Sequence, residues 1–246
     1  VKFMMSLVRD SHDAIVLDFF SGSGTTAHAV MQYNADDCGR RKFILVQLPE
    51  NLDDGLAKAS NDKKQVLKNA IALCDKNNVQ HALSEVAKER IRRAGDKIKD
   101  DNAGKDGIEN LDIGFRVLKL DSTNMKDVYY GANEYDQGKL TYLIRNIKDD
   151  RDDMDLLYGC LLEWGLPLSL PHTSENIGGV TVHTYNSGDL VACFAPKVSE
   201  AVVREIARRK PLRVVFRDSG FADAPAKINV EEIFKLMAPN TSVKVL

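Results

Sequence analysis

The sequence predicts an α/β protein, and three observations carry that prediction. A short apolar run, residues 14–20, ends in a turn containing Gly22 and Gly24; a helical stretch from Thr25 to Tyr33 follows, and then a second apolar run at 42–50. Strand, turn, helix and strand in that order is the pattern of a parallel βαβ unit. The C-terminal part alternates strand and helix signals again and reads as a small α/β domain of its own. Finally, 246 residues with 43% hydrophobic and 28% charged side chains suffice for a proper core.

Each element has its own signal. Ile15, Val16, Leu17 and two Phe make residues 14–20 a buried strand. Pro49 stops the second strand. Residues 51–76 are polar and then helical. In the helix 83–99, Leu83, Ala87, Ile91, Ala94 and Ile98 share one face, and Glu89 sits four residues before Arg93. Residues 100–112 are rich in Asp, Asn and Gly and predict a linker or flexible loop between 1–99 and 113–246. "GFRVLKLDST", 114–123, alternates like a half-buried strand, and 139–148 and 152–164 look helical. "VTVHTY" and "DLVACF" flank Asn186-Ser187-Gly188 as a hairpin. Ser199 opens a helix that runs through Arg209 and ends at Pro211, and "LRVVF" is a strand. Asn229 with Glu232 resembles a capping box that opens a helix stopped by Pro239. "SVKVL" closes the chain as a strand.

Composition excludes several classes of function. A net charge of −2 gives no global positive field to draw the chain onto nucleic acid. The basic clusters at 40–42, 88–93 and 208–210 read as solvated ends of elements. Cys38, Cys74, Cys160 and Cys193 have no short paired spacing, which argues against a zinc site or disulfide framework and suits a reducing cytoplasm. The five histidines show no ligand spacing. His172 and His183 read as strand or loop polar residues, and Asp218-Ser219-Gly220 as a strand-end turn. No apolar run reaches membrane-spanning length. The opening "VKFMMSLV" reads as the tail of an amphipathic helix, not a signal peptide, and the chain is expected to be a fragment.

Three ligands compete for the glycine turn in "DFFSGSGTTA". A P-loop needs a Lys after its last glycine, and none follows Gly24. Gly22-x-Gly24-x-x-Ala27 satisfies a loose dinucleotide fingerprint, with Glu50 as the ribose acid. The third ligand is S-adenosylmethionine. Asp18, four places before Gly22, would repel a pyrophosphate in a low-dielectric cleft and attract an ammonium or sulfonium. The glycines let backbone approach the methionine part, and the helix N-terminus can meet its carboxylate. Glu50 would accept from the ribose hydroxyls, and Phe20 would offer an apolar face. The competing explanation is that Asp18 only caps the turn and the glycines only tighten it.

"VLDFFSGSGTTAHAV" resembles the cofactor motif D/P-x-F-x-G-S-G-T-T of amino-methylating DNA methyltransferases, and "RRKFILVQLPE" resembles the motif that follows it. "SEVAKERIRRAGDKI", "GFRVLKLDSTN" and the C-terminal "VVFRDSGFADAPAKINVEEIFKLMAPNTSVKVL" are similar to the modification (Mod) subunit of type III restriction–modification systems, which methylates adenine at N6. The resemblance implies a Rossmann-like S-adenosylmethionine-dependent methyltransferase sheet, of which 1–99 is the cofactor-binding half. It places Asp18, Phe19, Phe20, Ser21, Gly22, Gly24, Thr25, Thr26 and Glu50 at the cofactor. It implies that 113–246 serves assembly or partner docking. The implied partners are DNA, reached through the full-length protein, a restriction subunit and a second copy in a homodimer, in the cytoplasm and with no membrane.

These enzymes also carry a Pro-Pro-aromatic motif that holds the target amino group, and no Pro-Pro occurs in this sequence. In the group resembled, that motif lies upstream of the glycine turn, so it is expected to precede Val1. Methyl transfer needs an extruded base held in line with the sulfonium, so residues 1–246 alone are expected to be inactive and to bind cofactor weakly. Uncovered apolar sheet is expected near 14–20 and 43–48, inviting self-association. A non-catalytic assembly module and a nicotinamide dehydrogenase remain as alternatives.

Overall fold

A computed structural model describes the chain except at residues 9–10, 127–145 and 222–223. It is mixed α/β and divides into two compact units, Val1–Val117 and Leu118–Leu246.

Unit 1 is built on a parallel pair, β1 (Ile15–Asp18) and β2 (Lys42–Leu45), with Ile15 opposite Lys42 and Asp18 opposite Leu45. After the short helix α1 (Lys2–Ser6), α2 (Thr25–Asp37) forms the crossover between the strands. Helices α3 (Leu52–Lys58), α4 (Asn61–Lys76) and α5 (Leu83–Asp101) follow. Apolar residues of α2 and α5 make the core: Ala27, Met31 and Ala35 pack with Ile91, Ala94 and Ile98, and Phe43 and Leu45 reach the same cluster from β2. Period-2 alternation leaves the other sheet face uncovered, with Ile15 64%, Leu17 49% and Ile44 50% exposed. The run 14–20, expected to be a buried strand, is therefore exposed on one face. Among the described residues only two strands pair here, so no further strand extends that face.

α2 runs past Tyr33 to Asp37, where Cys38 takes a left-handed φ of 57°. The Lys105 ammonium donates to the carbonyls of Ala35 and Asp36 at that end, a favourable place for a cation. Arg41, its side chain 1% exposed, donates to the Asp37 carboxylate at 2.8 and 2.7 Å and lies over the Tyr33 ring. That contact holds the Asp37 carboxyl below its usual range. Residues 100–112 do not separate the units: Ile108, Leu111, Ile113 and Phe115 pack against the α2–α5 core. The alternation at 114–123 makes no strand. Its first residues lean on that core, and Leu120 is fully exposed.

Unit 2 is a five-stranded mixed sheet in the order β3 (His172–Ile177), β4 (Val180–Tyr185), β5 (Leu190–Cys193), β6 (Arg213–Phe216), β7 (Ser242–Val245). β3–β4–β5 are antiparallel, and β5–β6–β7 are parallel. α6 (Asp153–Glu163) packs Leu156, Leu157, Cys160 and Leu161 on one face, against Tyr185, Leu190 and Val215. α7 (Glu200–Arg208) and α8 (Ala224–Met237) pack on the other, against Val191, Val214 and Phe216. β5 faces helices on both sides, and all four of its residues are buried. The hairpin at Asn186–Gly188 forms as expected. α8 begins at Ala224, so Asn229 is not its cap; within the helix its amide donates to Glu200 at 3.1 Å. Of the helix expected at 139–148, residues 139–145 lie outside the described residues, and Ile147 bridges to Met125 instead.

Candidate functional site

The site grows from the carboxyl ends of β1 and β2, which parallel pairing puts on one edge. Beyond the ladder the two chains stay tied. Val46 N–H donates to the Asp18 carbonyl at 2.9 Å, and Ser21 N–H donates to the Val46 carbonyl at 3.3 Å. After these bonds the chain reverses through Gly22 (φ +54°) and Gly24 (φ +77°), conformations that favour glycine. Gly22 N–H donates to Gln47 Oε1 at 2.7 Å, and Gly24 N–H to the Ser21 carbonyl at 2.9 Å. Gly24 has a second reason to be glycine. A Cβ there would sit 3.0 Å from Ile91 Cγ1, so its absence lets α5 close on the start of α2. At Gly22 the nearest atom to such a Cβ is the Phe20 carbonyl oxygen, at 4.0 Å, so the bend is open on that side.

Asp18 is anchored to the bend by both carboxylate oxygens. Phe20 N–H donates to Oδ1 at 3.2 Å, and the Thr26 hydroxyl donates to Oδ2 at 2.6 Å. Asp18 thus does cap the turn, and the same bonds keep its negative charge at the bend. Among the described residues no Lys or Arg forms an ion pair with it. Phe19 and Phe20 are 63% and 86% exposed, Ser21 and Thr26 are buried, and Thr25 is exposed. Glu50 lies exposed beyond the end of β2. Its main chain is fixed by N–H donation to the Leu48 carbonyl at 2.8 Å and by acceptance from Leu83 N–H at 3.0 Å. Next to it, the Asn51 side chain caps α3.

Three contributors escape a local reading of the motif: Gln47, Ser23 and Arg90. Arg90, on α5, donates through Nη1 to Ser23 Oγ at 2.6 Å and to Thr25 Oγ1 at 2.8 Å. Gln47 had a signal, as the one polar side chain between Val46 and Leu48. Arg90 had none beyond its place in a basic helix. An open hollow of about 420 Å³ between α1 and β1 has Met4, Met5, Ile15, Leu17, Asp18 and Thr26 in its wall. The edge therefore offers a carboxylate at the bend, a second carboxylate beyond the next strand, and the exposed aromatic side chains Phe19 and Phe20. That set suits a ligand with a positive centre, a diol and an apolar ring.

In unit 2, His183 is buried, with Ser174 Oγ 2.8 Å from Nδ1 and Asp153 Oδ2 3.1 Å from Nε2. Ser174 is the direct cross-strand neighbour of His183, and Asp153 opens α6, so the ring ties β3, β4 and α6 together. His172 makes an edge contact with Tyr158. Asp218–Gly220 is a single 3₁₀ turn after β6. Among the described residues no cluster of His, Cys, Asp and Glu has the geometry of a metal site, and no helix is long and apolar enough to cross a membrane.

No family model matches the chain. It is 28% identical over its whole length to the Mod subunit of the type III restriction–modification enzyme EcoP15I of Escherichia coli, 34% of which the match covers. It is 38% identical over 120 residues to the Mod subunit of the StyLTI enzyme of Salmonella typhimurium, in a match over 49% of this chain and 15% of that protein. A segment of 49 residues, 19% of the chain and 12% of the relative, is 47% identical to the type II methyltransferase M.KpnI of Klebsiella pneumoniae. The chain spans about a third or less of the length of the Mod subunits it matches. With its glycine bend and acidic strand end in place, the chain is a relative of the Mod subunits of type III restriction–modification enzymes.

Proposed function

We propose that unit 1 is the S-adenosylmethionine-binding half of a Rossmann-like DNA methyltransferase acting on adenine N6, as the relation to Mod subunits and to a methyltransferase suggests. The observation that carries the reading is the Asp18 carboxylate, held at the bend by Phe20 N–H and Thr26 Oγ1. A diphosphate there would meet like charge, whereas a sulfonium or ammonium is stabilised. The residues fit the cofactor. The open side of Gly22 leaves room for the ligand, Glu50 offers acceptors for two ribose hydroxyls, and Phe20 offers an apolar face.

Bound S-adenosylmethionine supplies an electrophilic methyl group on sulfur. The chain's own part is to bind and orient. Asp18 fixes the cationic end, Glu50 fixes the sugar, and the Gln47–Gly22 bond holds the bend in shape before the ligand arrives. Unit 2 we read as the part that pairs copies of the subunit or docks a restriction subunit. Its strongest polar cluster, at His183, is taken up in structural bonds. The buried free thiols Cys74, Cys160 and Cys193 suit the reducing cytoplasm.

The 246 residues contain no Pro-Pro-aromatic sequence to hold a flipped base. Incubated with unmethylated duplex DNA and methyl-labelled S-adenosylmethionine, this polypeptide is expected to bind the donor and transfer no label. Label recovered in adenine would overturn the inactivity, and absence of binding would overturn the cofactor assignment.

A further inference from the structure

The hydroxyl groups after Gly22 fall into two sets of opposite polarity. Thr26 Oγ1 spends its hydrogen on Asp18 Oδ2. Ser23 Oγ and Thr25 Oγ1 each accept an N–H from Arg90, at 2.6 and 2.8 Å, and guanidinium has no acceptor to take their hydrogens. Those two hydroxyls are therefore left as donors, polarised by a cation behind them. The bend thus carries both an acid and two prepared donors. An amino-acid zwitterion has the matching charges, an ammonium and a carboxylate.

We propose that Arg90 is a positioning residue. Acting through Ser23 and Thr25, it selects a carboxylate on the ligand and so recognises the amino-acid end of S-adenosylmethionine. The proposal rests on the methyl-donor reading of the bend. Arg90 reaches the turn from α5, sixty-seven residues along the chain from Ser23, and the contact is possible because Gly24 lets α5 approach the start of α2.

Calorimetric titration of the 246-residue chain with S-adenosylmethionine and with its decarboxylated form tests this. The decarboxylated form keeps the sulfonium and the ammonium. In R90M, affinity for S-adenosylmethionine is expected to fall roughly tenfold or more, the scale of a charge-assisted hydrogen bond, while affinity for the decarboxylated form holds within about twofold. In a chain already carrying S23A and T25V, adding R90M is expected to change neither affinity further. R90K, which keeps the charge, is expected to recover part of the loss, and the unfolding midpoint of each variant reports whether it is folded. Equal weakening of both ligands by R90M would overturn the proposal and leave the cofactor reading standing, since a merely structural Arg90 acts on both alike. A loss that persists in the S23A/T25V background would also overturn it, by placing the guanidinium on the ligand itself. If the unsubstituted chain binds neither ligand, the methyl-donor reading falls, and this proposal with it.

Discussion

Asp18, Gly22 and Gly24 do separate jobs within one bend. Both glycines hold positive φ, but only Gly24 also lacks room for a side chain, with Ile91 Cγ1 3.0 Å and the Ala87 carbonyl 3.4 Å from a Cβ. G22A should therefore cost about 1 kcal/mol of backbone strain, and G24A about 2–4 kcal/mol through strain plus overpacking. Urea midpoints of the two variants check the order; equal losses would mean that α5 does not press on Gly24. The bend was legible in the sequence because its signals are contiguous: an acid ends an apolar run and two glycines follow. Gln47 shows in the sequence only as a polar residue between Val46 and Leu48, and Arg90 only as part of a basic helix; neither is legible as a partner of the bend. They reach the bend from twenty-five and sixty-seven residues away, and no local pattern encodes a contact at that separation.

At the scale of elements, a small polar clamp organises the helices that follow β2. His81, just before α5, has Nδ1 2.9 Å from Asp53 in the first turn of α3 and Nε2 2.9 Å from Asp75 near the end of α4. Asp75 first, and Asp53 next, raise the pKa of His81 above its ordinary value. Because the folded-state pKa is raised, the clamp's stabilisation is complete below the unfolded value of about 6.5 and is lost as pH rises through the folded value. Unfolding midpoints should therefore decline over that window, and H81N should flatten the decline; an unchanged slope in H81N would dismiss the clamp. α5 is legible in the sequence because its 3.6-residue apolar periodicity survives any tertiary context, and α7 because a serine before it and a proline after it mark its ends. The strand expected at 114–123 failed because alternation records a half-buried extended chain, not a partner to pair with. The strand β3 was missed because "HTSENI" is polar: it is an edge strand, with four of its six residues exposed.

At the scale of the whole molecule, the two units have separate cores, and all the residues assigned to the cofactor lie in the first. On the function proposed for unit 1, an acid at the strand-to-glycine bend makes it a receptor for a cationic methyl donor and not for a diphosphate. The most direct measurement is thermal unfolding of the chain with S-adenosylmethionine, and separately with NAD, for the unsubstituted protein and D18N. S-adenosylmethionine is expected to raise the unfolding temperature by several degrees at saturation, NAD to leave it unchanged, and D18N to lose most of the rise. Stabilisation by NAD, with none by S-adenosylmethionine, would contradict the methyl-donor assignment of the bend.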